Sequence, residues 1–194
     1  MTASGDPVLG VRFPRVTRPI ICCQYEQDAK RIKEALGKRL AKYQLRLNEE
    51  KTRLVRFSKR ARCQGEQQEG FDFLGFTFYL GRSRRGAITP KLKTSGKRLR
   101  SKLKRVDEWA RRVRNVLPLK QIWRVFGTKL RGHIQYYGVS FNGAAVKEFV
   151  YQATRILFAH LNRRSQRKSF TWEQFGRFRE AHPLPPVILH HALY

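Results

Sequence analysis

A chain of 194 residues, 41% of them apolar, can build one or two small domains around a modest core. Its 42 Lys and Arg against 14 Asp and Glu leave a net charge of +28, a self-repulsion that a polyanionic partner relieves, with nucleic acid the leading candidate. No apolar run reaches the length of a membrane span, no signal-peptide pattern opens the chain, and Cys22, Cys23 and Cys63 form no CxxC pair, so a reducing cytoplasm and no membrane are expected.

Residues 1–19, with five Gly and Pro and little periodicity, read as an irregular leader. Ile20–Cys23 then suits a short strand. Ala29, Ile32, Leu36, Leu40 and Tyr43 recur at helical spacing, which predicts a surface helix packed on a sheet. An Asn48-Glu49-Glu50-Lys51 turn leads to Leu54, Val55 and Phe57, a predicted strand, and then to a polar loop over 58–69. In the segment from Gly70 to Leu80, Phe71 and Phe73 share one parity and Phe76, Phe78 and Leu80 the other. The phase changes at Leu74-Gly75, where a bulge or tight turn belongs. A basic loop follows at 81–86, and Ile88 begins an extended segment that Pro90 closes.

The strongest helical signal runs from Lys97 to Leu117, with Leu99, Leu103, Val106, Trp109, Val113 and Val116 on one stripe. Its other faces carry Lys97, Arg98, Arg100, Lys102, Lys104, Arg105, Arg111, Arg112 and Arg114, interrupted only by Asp107 and Glu108. A merely solvated face would mix its signs more evenly, so phosphate contact is the reading. Pro118 ends this helix. The next one carries Ile122, Phe126, Leu130 and Ile134, and Gly127 and Gly132 predict a kink or break within it. A third helix spans 144–161, and Arg163, Arg164, Arg167 and Lys168 form a basic junction behind it. Thr171 and Gln174 make a capping box for a last helix, with Phe170 and Phe175 as its hydrophobic staple. Pro183 stops that helix, leaving a tail held by Val187, Ile188 and Leu189. The helices of 97–194 are expected to bury their apolar positions against one another without help from the strands.

Nucleotidyl transfer by two divalent cations needs closely placed carboxylates, and the sequence holds no such cluster. His133, His160, His182, His190 and His191 lack zinc spacing, and neither a GxxxxGK loop nor a GxSxG elbow is present. No catalytic or metal-ligating residue is therefore assigned. What remains is nucleic-acid binding by the basic helices, to which Lys129 and Arg131 add. Trp123, Tyr136, Tyr137 and Trp172 have the chemistry to stack on bases, and each equally suits a helical core.

Three segments, Leu47–Leu54 (LNEEKTRL), Gly70–Leu80 (GFDFLGFTFYL) and Leu130–Tyr137 (LRGHIQYY), resemble in order and separation the palm end, primer-grip hairpin and maturase domain of a group II intron reverse transcriptase/maturase. The resemblance covers residues 20–194. It implies an α+β fold, in which a small palm-remnant sheet with one helix is followed by an α-helical thumb and an α-helical maturase domain. The corresponding ranges are a leader at 1–19, palm remnant and hairpin at 20–90, a thumb-like basic helix at 91–117 and the maturase-specific domain at 118–194. Phe73, Leu74, Gly75 and Phe76 match the primer grip. Lys51 matches a lysine that assists the departing pyrophosphate.

The family's Tyr-x-Asp-Asp turn is replaced by Phe13–Pro19, which has no acid, and the fingers and most of the palm are expected to lie before Met1. His133 stands where relatives carry Trp. The resemblance thus implies an RNA-binding C-terminal fragment that binds intron RNA and assists its splicing, inactive alone as an RNA-directed DNA polymerase. It needs no cofactor, Mg²⁺ being expected only for a complete polymerase. The alternatives are the C-terminal half of a split polymerase, partnered by a chain carrying fingers and palm, and a non-functional remnant of a decayed mobile element.

Overall fold

The structure, a computed structural model, describes residues 20–65, 68, 70–83, 85–164 and 171–192. The leader, Phe170 of the staple, and Arg167 and Lys168 lie outside the described residues. The fold is mixed α+β and divides into two units, Met1–Leu54 and Val55–Tyr194.

In the first unit, helix α1 (Glu26–Ala41) has acids in its first turn and bases in its last, which complements the helix dipole, and Lys30 pairs with Glu26 at 2.7 Å. It buries none of its residues, contrary to the packed helix expected. The Asn48 turn forms as expected, its side chain accepting from the Lys51 amide at 3.1 Å. The strands expected at Ile20–Cys23 and Leu54–Phe57 do not form; no strand among the described residues pairs with them, and Leu54 and Val55 stay exposed.

The second unit begins with a short helix α2 (Lys59–Cys63), inside the segment expected to be a loop. Three antiparallel strands follow in the order β1 (Phe71–Phe73), β2 (Phe76–Arg82) and β3 (Ile88–Thr94). Leu74 and Gly75 form the tight turn between β1 and β2, with φ of 48° and 86°, positive at both central positions as a type I′ hairpin demands. Gly75 is required there twice, because a Cβ would also lie 2.8 Å from the Tyr137 hydroxyl. The register pairs Phe71 with Phe78 and Phe73 with Phe76, so the change of parity across the turn puts these four phenylalanine rings on one face. Pro90 lies within β3 and does not close it; β3 is an edge strand, where the missing N–H costs no ladder bond.

The core belongs to four helices, α3 (Gly96–Val113), α4 (Leu119–Tyr137), α5 (Gly143–Leu161) and α6 (Trp172–Ala181). Neither Gly127 nor Gly132 breaks α4. Seven residues, from Ile122 to Tyr137, are buried along it, and that burial outweighs roughly 1 kcal/mol per glycine of lost helix propensity. Trp123, Phe126, Phe175 and Phe178 pack ring on ring with centroids 5.0–6.3 Å apart. The capping box of α6 is present: Thr171 accepts from the Gln174 amide and Gln174 from the Thr171 amide. His160, buried on α5, contacts Asp107 on α3 at 2.7 Å. In the tail, Leu184 and Val187 pack on the core, whereas Ile188 and Leu189 remain half exposed. The tail approaches Gly138 so closely that a Cβ there would fall 2.6 Å from the Ile188 carbonyl oxygen.

Contrary to the expectation that the helices pack without the strands, Phe76 packs against the helical core, 5.1 Å from the Tyr137 ring. Fully buried Asn142, between α4 and α5, ties the two parts together. Its Oδ1 accepts from the Thr94 amide at 2.7 Å, and its Nδ2 donates to the Tyr137 carbonyl at 2.8 Å and to Thr94 Oγ1 at 2.9 Å. Replacing Asn142 by Ala strands the buried Thr94 N–H, while the Tyr137 carbonyl keeps the Val139 amide as a donor at 2.8 Å, so Asn142→Ala is expected to lower the unfolding free energy by about 1–3 kcal/mol in urea melts. A loss below about 0.5 kcal/mol would show that the tie is dispensable.

Candidate nucleic-acid interface

The α3 helix repeats every 3.6 residues, which places Arg98, Ser101, Lys102 and Arg105 on one side, along the border of the core-facing stripe of partly buried Leu99, Leu103 and Val106 and buried Ala110. Arg98 and Arg105 are exposed and Lys102 is half-buried. Its ammonium stands 4.5 Å from the Tyr137 ring centroid and 5.9 Å from that of Tyr136, a cation–π arrangement. Burial, then the neighbouring Arg105 and Arg98 charges, push Lys102 below its usual range. Lys97, Arg100, Lys104 and Arg111 are exposed on the remaining surface of α3, as is Arg112. Arg114 is partly buried, with its Nε lacking a protein partner.

Arg98, Ser101, Lys102 and Arg105 form one wall of a cleft of about 280 Å³, whose other walls are Leu74-Gly75, Tyr136 and Tyr137. Two hydrogen bonds hold those walls in place. The Tyr136 hydroxyl donates to the Leu74 carbonyl at 2.8 Å, and the Ser95 amide at the start of α3 donates to the Gly75 carbonyl at 2.9 Å. Ser95 Oγ also donates to Asp72 Oδ2 at 2.9 Å, so the helix start is fixed to β1 as well. Among the described residues no carboxylate lines the cleft.

The primer-grip-like residues thus divide, with Leu74 64% exposed at the cleft mouth and Phe76 packed inward on the Tyr136 and Tyr137 rings. The two tyrosines divide as well. Tyr136 is half exposed and can offer a ring edge to a base, while Tyr137 is 3% exposed, with its ring against Phe76, His133 and Tyr136. Tyr137 therefore cannot stack on RNA, and among the aromatics considered Trp123 is likewise core whereas Trp172 is half exposed.

Elsewhere, Lys129 lies 5.4 Å over the Trp109 ring, Arg131 is exposed, and Arg163 and Arg164 are exposed beyond α5. Arg164 Nη2 donates to the Leu117 carbonyl at 3.1 Å. The sequence reading missed Ser101, and it missed Lys91 and Lys93, which stand 5.5 Å over Phe141 and 5.3 Å over Tyr79. The alternation Thr89-Lys91-Lys93 was the available signal, obscured by ending the strand at Pro90. Among the described residues no group of three His, Cys, Asp or Glu side chains is placed to hold a metal ion, and no helix is long and apolar enough to cross a membrane.

Beneath the cleft, His133 is 5% exposed, stacked 3.6 Å from Phe149 and 4.7 Å from Tyr137, with neither ring nitrogen hydrogen-bonded to protein. It fills the space of an aromatic core residue. Burial, with the Lys102 charge adding to it, pushes its pKa down to about 3. The unfolded chain therefore binds a proton here that the folded chain does not, between the ordinary value of 6.5 and about 3. The contribution is complete above pH 6.5 and declines as pH falls through that window. His133→Phe is expected to flatten the fall of the urea midpoint between pH 6.5 and 4 relative to the parent; parallel profiles would show that His133 is not the group responsible.

Comparison of the chain with protein-family models, with curated proteins and with solved structures gives no match.

Proposed function

We propose that the chain is an RNA-binding module, similar in kind to the C-terminal part of a group II intron reverse transcriptase/maturase, and that it binds intron RNA to assist splicing chemistry carried out by the RNA. The observation that carries the binding is the row Arg98, Lys102 and Arg105, three cations without a carboxylate partner among the described residues, built against an exposed tyrosine on a fixed hairpin turn. Such charge is electrostatically unfavourable in the free protein and favourable once phosphates displace the repulsion. The family element of the proposal rests on the three sequence segments and on the tight turn and aromatic face of the hairpin, which suit a primer-grip-like shape.

Exposed cations on α3, α4 and the end of α5 together suffice for six or more phosphate contacts. Affinity for a structured intron RNA, measured by fluorescence anisotropy over 50–300 mM KCl, is then expected to fall with a log–log slope of about −4 or steeper. A slope near zero would contradict the reading. Replacing the row by Gln (Arg98→Gln, Lys102→Gln, Arg105→Gln) is expected to reduce the slope by about 2.

A further inference from the structure

The cleft bounded by the Leu74–Gly75 turn differs from the exposed basic faces of α3. It is concave, its walls are held by hydrogen bonds before any ligand arrives, and three cations at positions i, i+4 and i+7 of one helix converge on it. At about 280 Å³ it lies just below the range of about 300–1,000 Å³ usual for sites of drug-sized ligands, so it holds a group no larger than a nucleotide. Half-exposed Tyr136 and exposed Leu74 provide an aromatic and apolar edge beside the charges.

We infer that this cleft is a binding site for the terminal phosphate monoester of an RNA strand, held by Arg98, Lys102 and Arg105, with the adjoining base resting against Tyr136. The inference rests on the reading of the chain as an RNA-binding module and assigns one subsite within it.

The choice between a terminal and an internal phosphate follows from charge and valence. A monoester carries about −1.5 to −2 at neutral pH and three free acceptor oxygens, whereas a phosphodiester carries one negative charge and two. Three uncompensated cations are better matched by the monoester. Ser101 and Tyr137 add hydroxyls to the lining. Lys102, held below its usual range by burial and by its two arginine neighbours, recovers a counter-charge when the monoester binds.

The test compares short single-stranded RNAs of one sequence ending in 5′-phosphate, 3′-phosphate or hydroxyl at both ends, with inorganic phosphate and a nucleoside monophosphate as competitors, against the full chain at fixed salt. A phosphate end is expected to tighten binding about tenfold over the hydroxyl-ended strand, the worth of a few charge-assisted hydrogen bonds after desolvation. Whichever end shows the gain identifies the strand end recognised. Competition by inorganic phosphate alone, with no preference among the RNAs, would replace the strand end by a free anion and overturn the assignment.

Lys102→Met and, on the exposed side where no packing is lost, Arg105→Gln are each expected to abolish the preference. Arg111→Gln is expected to weaken all the strands by one factor and leave their ratio unchanged. Equal affinity for all ends, or a preference that survives both cleft variants, would overturn the subsite while leaving salt-dependent RNA binding intact; loss of all RNA binding in the parent would instead overturn the function on which it rests.

Discussion

The side chain of Asn142 is the constraint on which the second unit depends. It follows Phe141, a non-glycine residue at φ 68°, and precedes the first turn of α5, where an asparagine would ordinarily cap the helix. Here the side chain forgoes the cap and satisfies the end of β3 and the end of α4 instead. Without Asn142 the buried Thr94 amide would lose its acceptor, and the Tyr137 carbonyl would keep only the Val139 amide as a donor. Because Thr94 immediately precedes Ser95, the tie also sets where α3 starts. That buried amide acts with the Tyr136–Leu74 and Ser95–Gly75 hydrogen bonds to bring the cationic row of α3 and the tyrosines of α4 to one cleft.

Charge explains why such a scaffold needs a partner. Arg98, Lys102 and Arg105 lie beside the apolar stripe of α3, so one of them is carried partly out of water, and no acid among the cleft residues offsets it. The two tyrosine rings supply part of the compensation through their faces. Their contribution, about 0.5–2 kcal/mol in such settings, is smaller than what a phosphate with several acceptor oxygens provides. The arrangement is preorganised for an anion and mildly unfavourable without one, which is the usual relation between binding-site strain and binding energy.

The parts legible in the sequence are those governed by local periodicity and end chemistry. The α3 stripe, the capping box at Thr171 and Gln174, and the parity change at Leu74-Gly75 each depend on residues within a turn or two of one another. What was misread depends on distant partners. Leu54 and Val55 look like a strand, yet a strand exists only where another backbone pairs with it. Gly127 and Gly132 look like a break, yet the buried face from Ile122 to Tyr137 keeps α4 whole. Of the cleft, the cations and Tyr136 were readable as a basic, aromatic surface. Their convergence was not, because it follows from Asn142 reaching across 48 residues to Thr94 and from Tyr136 reaching across 62 to Leu74.

The central claim is that this hydrogen-bonded junction of hairpin and helices presents the RNA-binding face. Hydrogen exchange of the full chain with and without a structured intron RNA tests it most directly, since bound RNA slows amide exchange where it excludes water and quiets local opening. Slowed exchange is expected at the Leu74-Gly75 turn, along 98–105 and around Tyr136. Protection confined to α1 and the Asn48 turn, with those three segments unchanged, would contradict it.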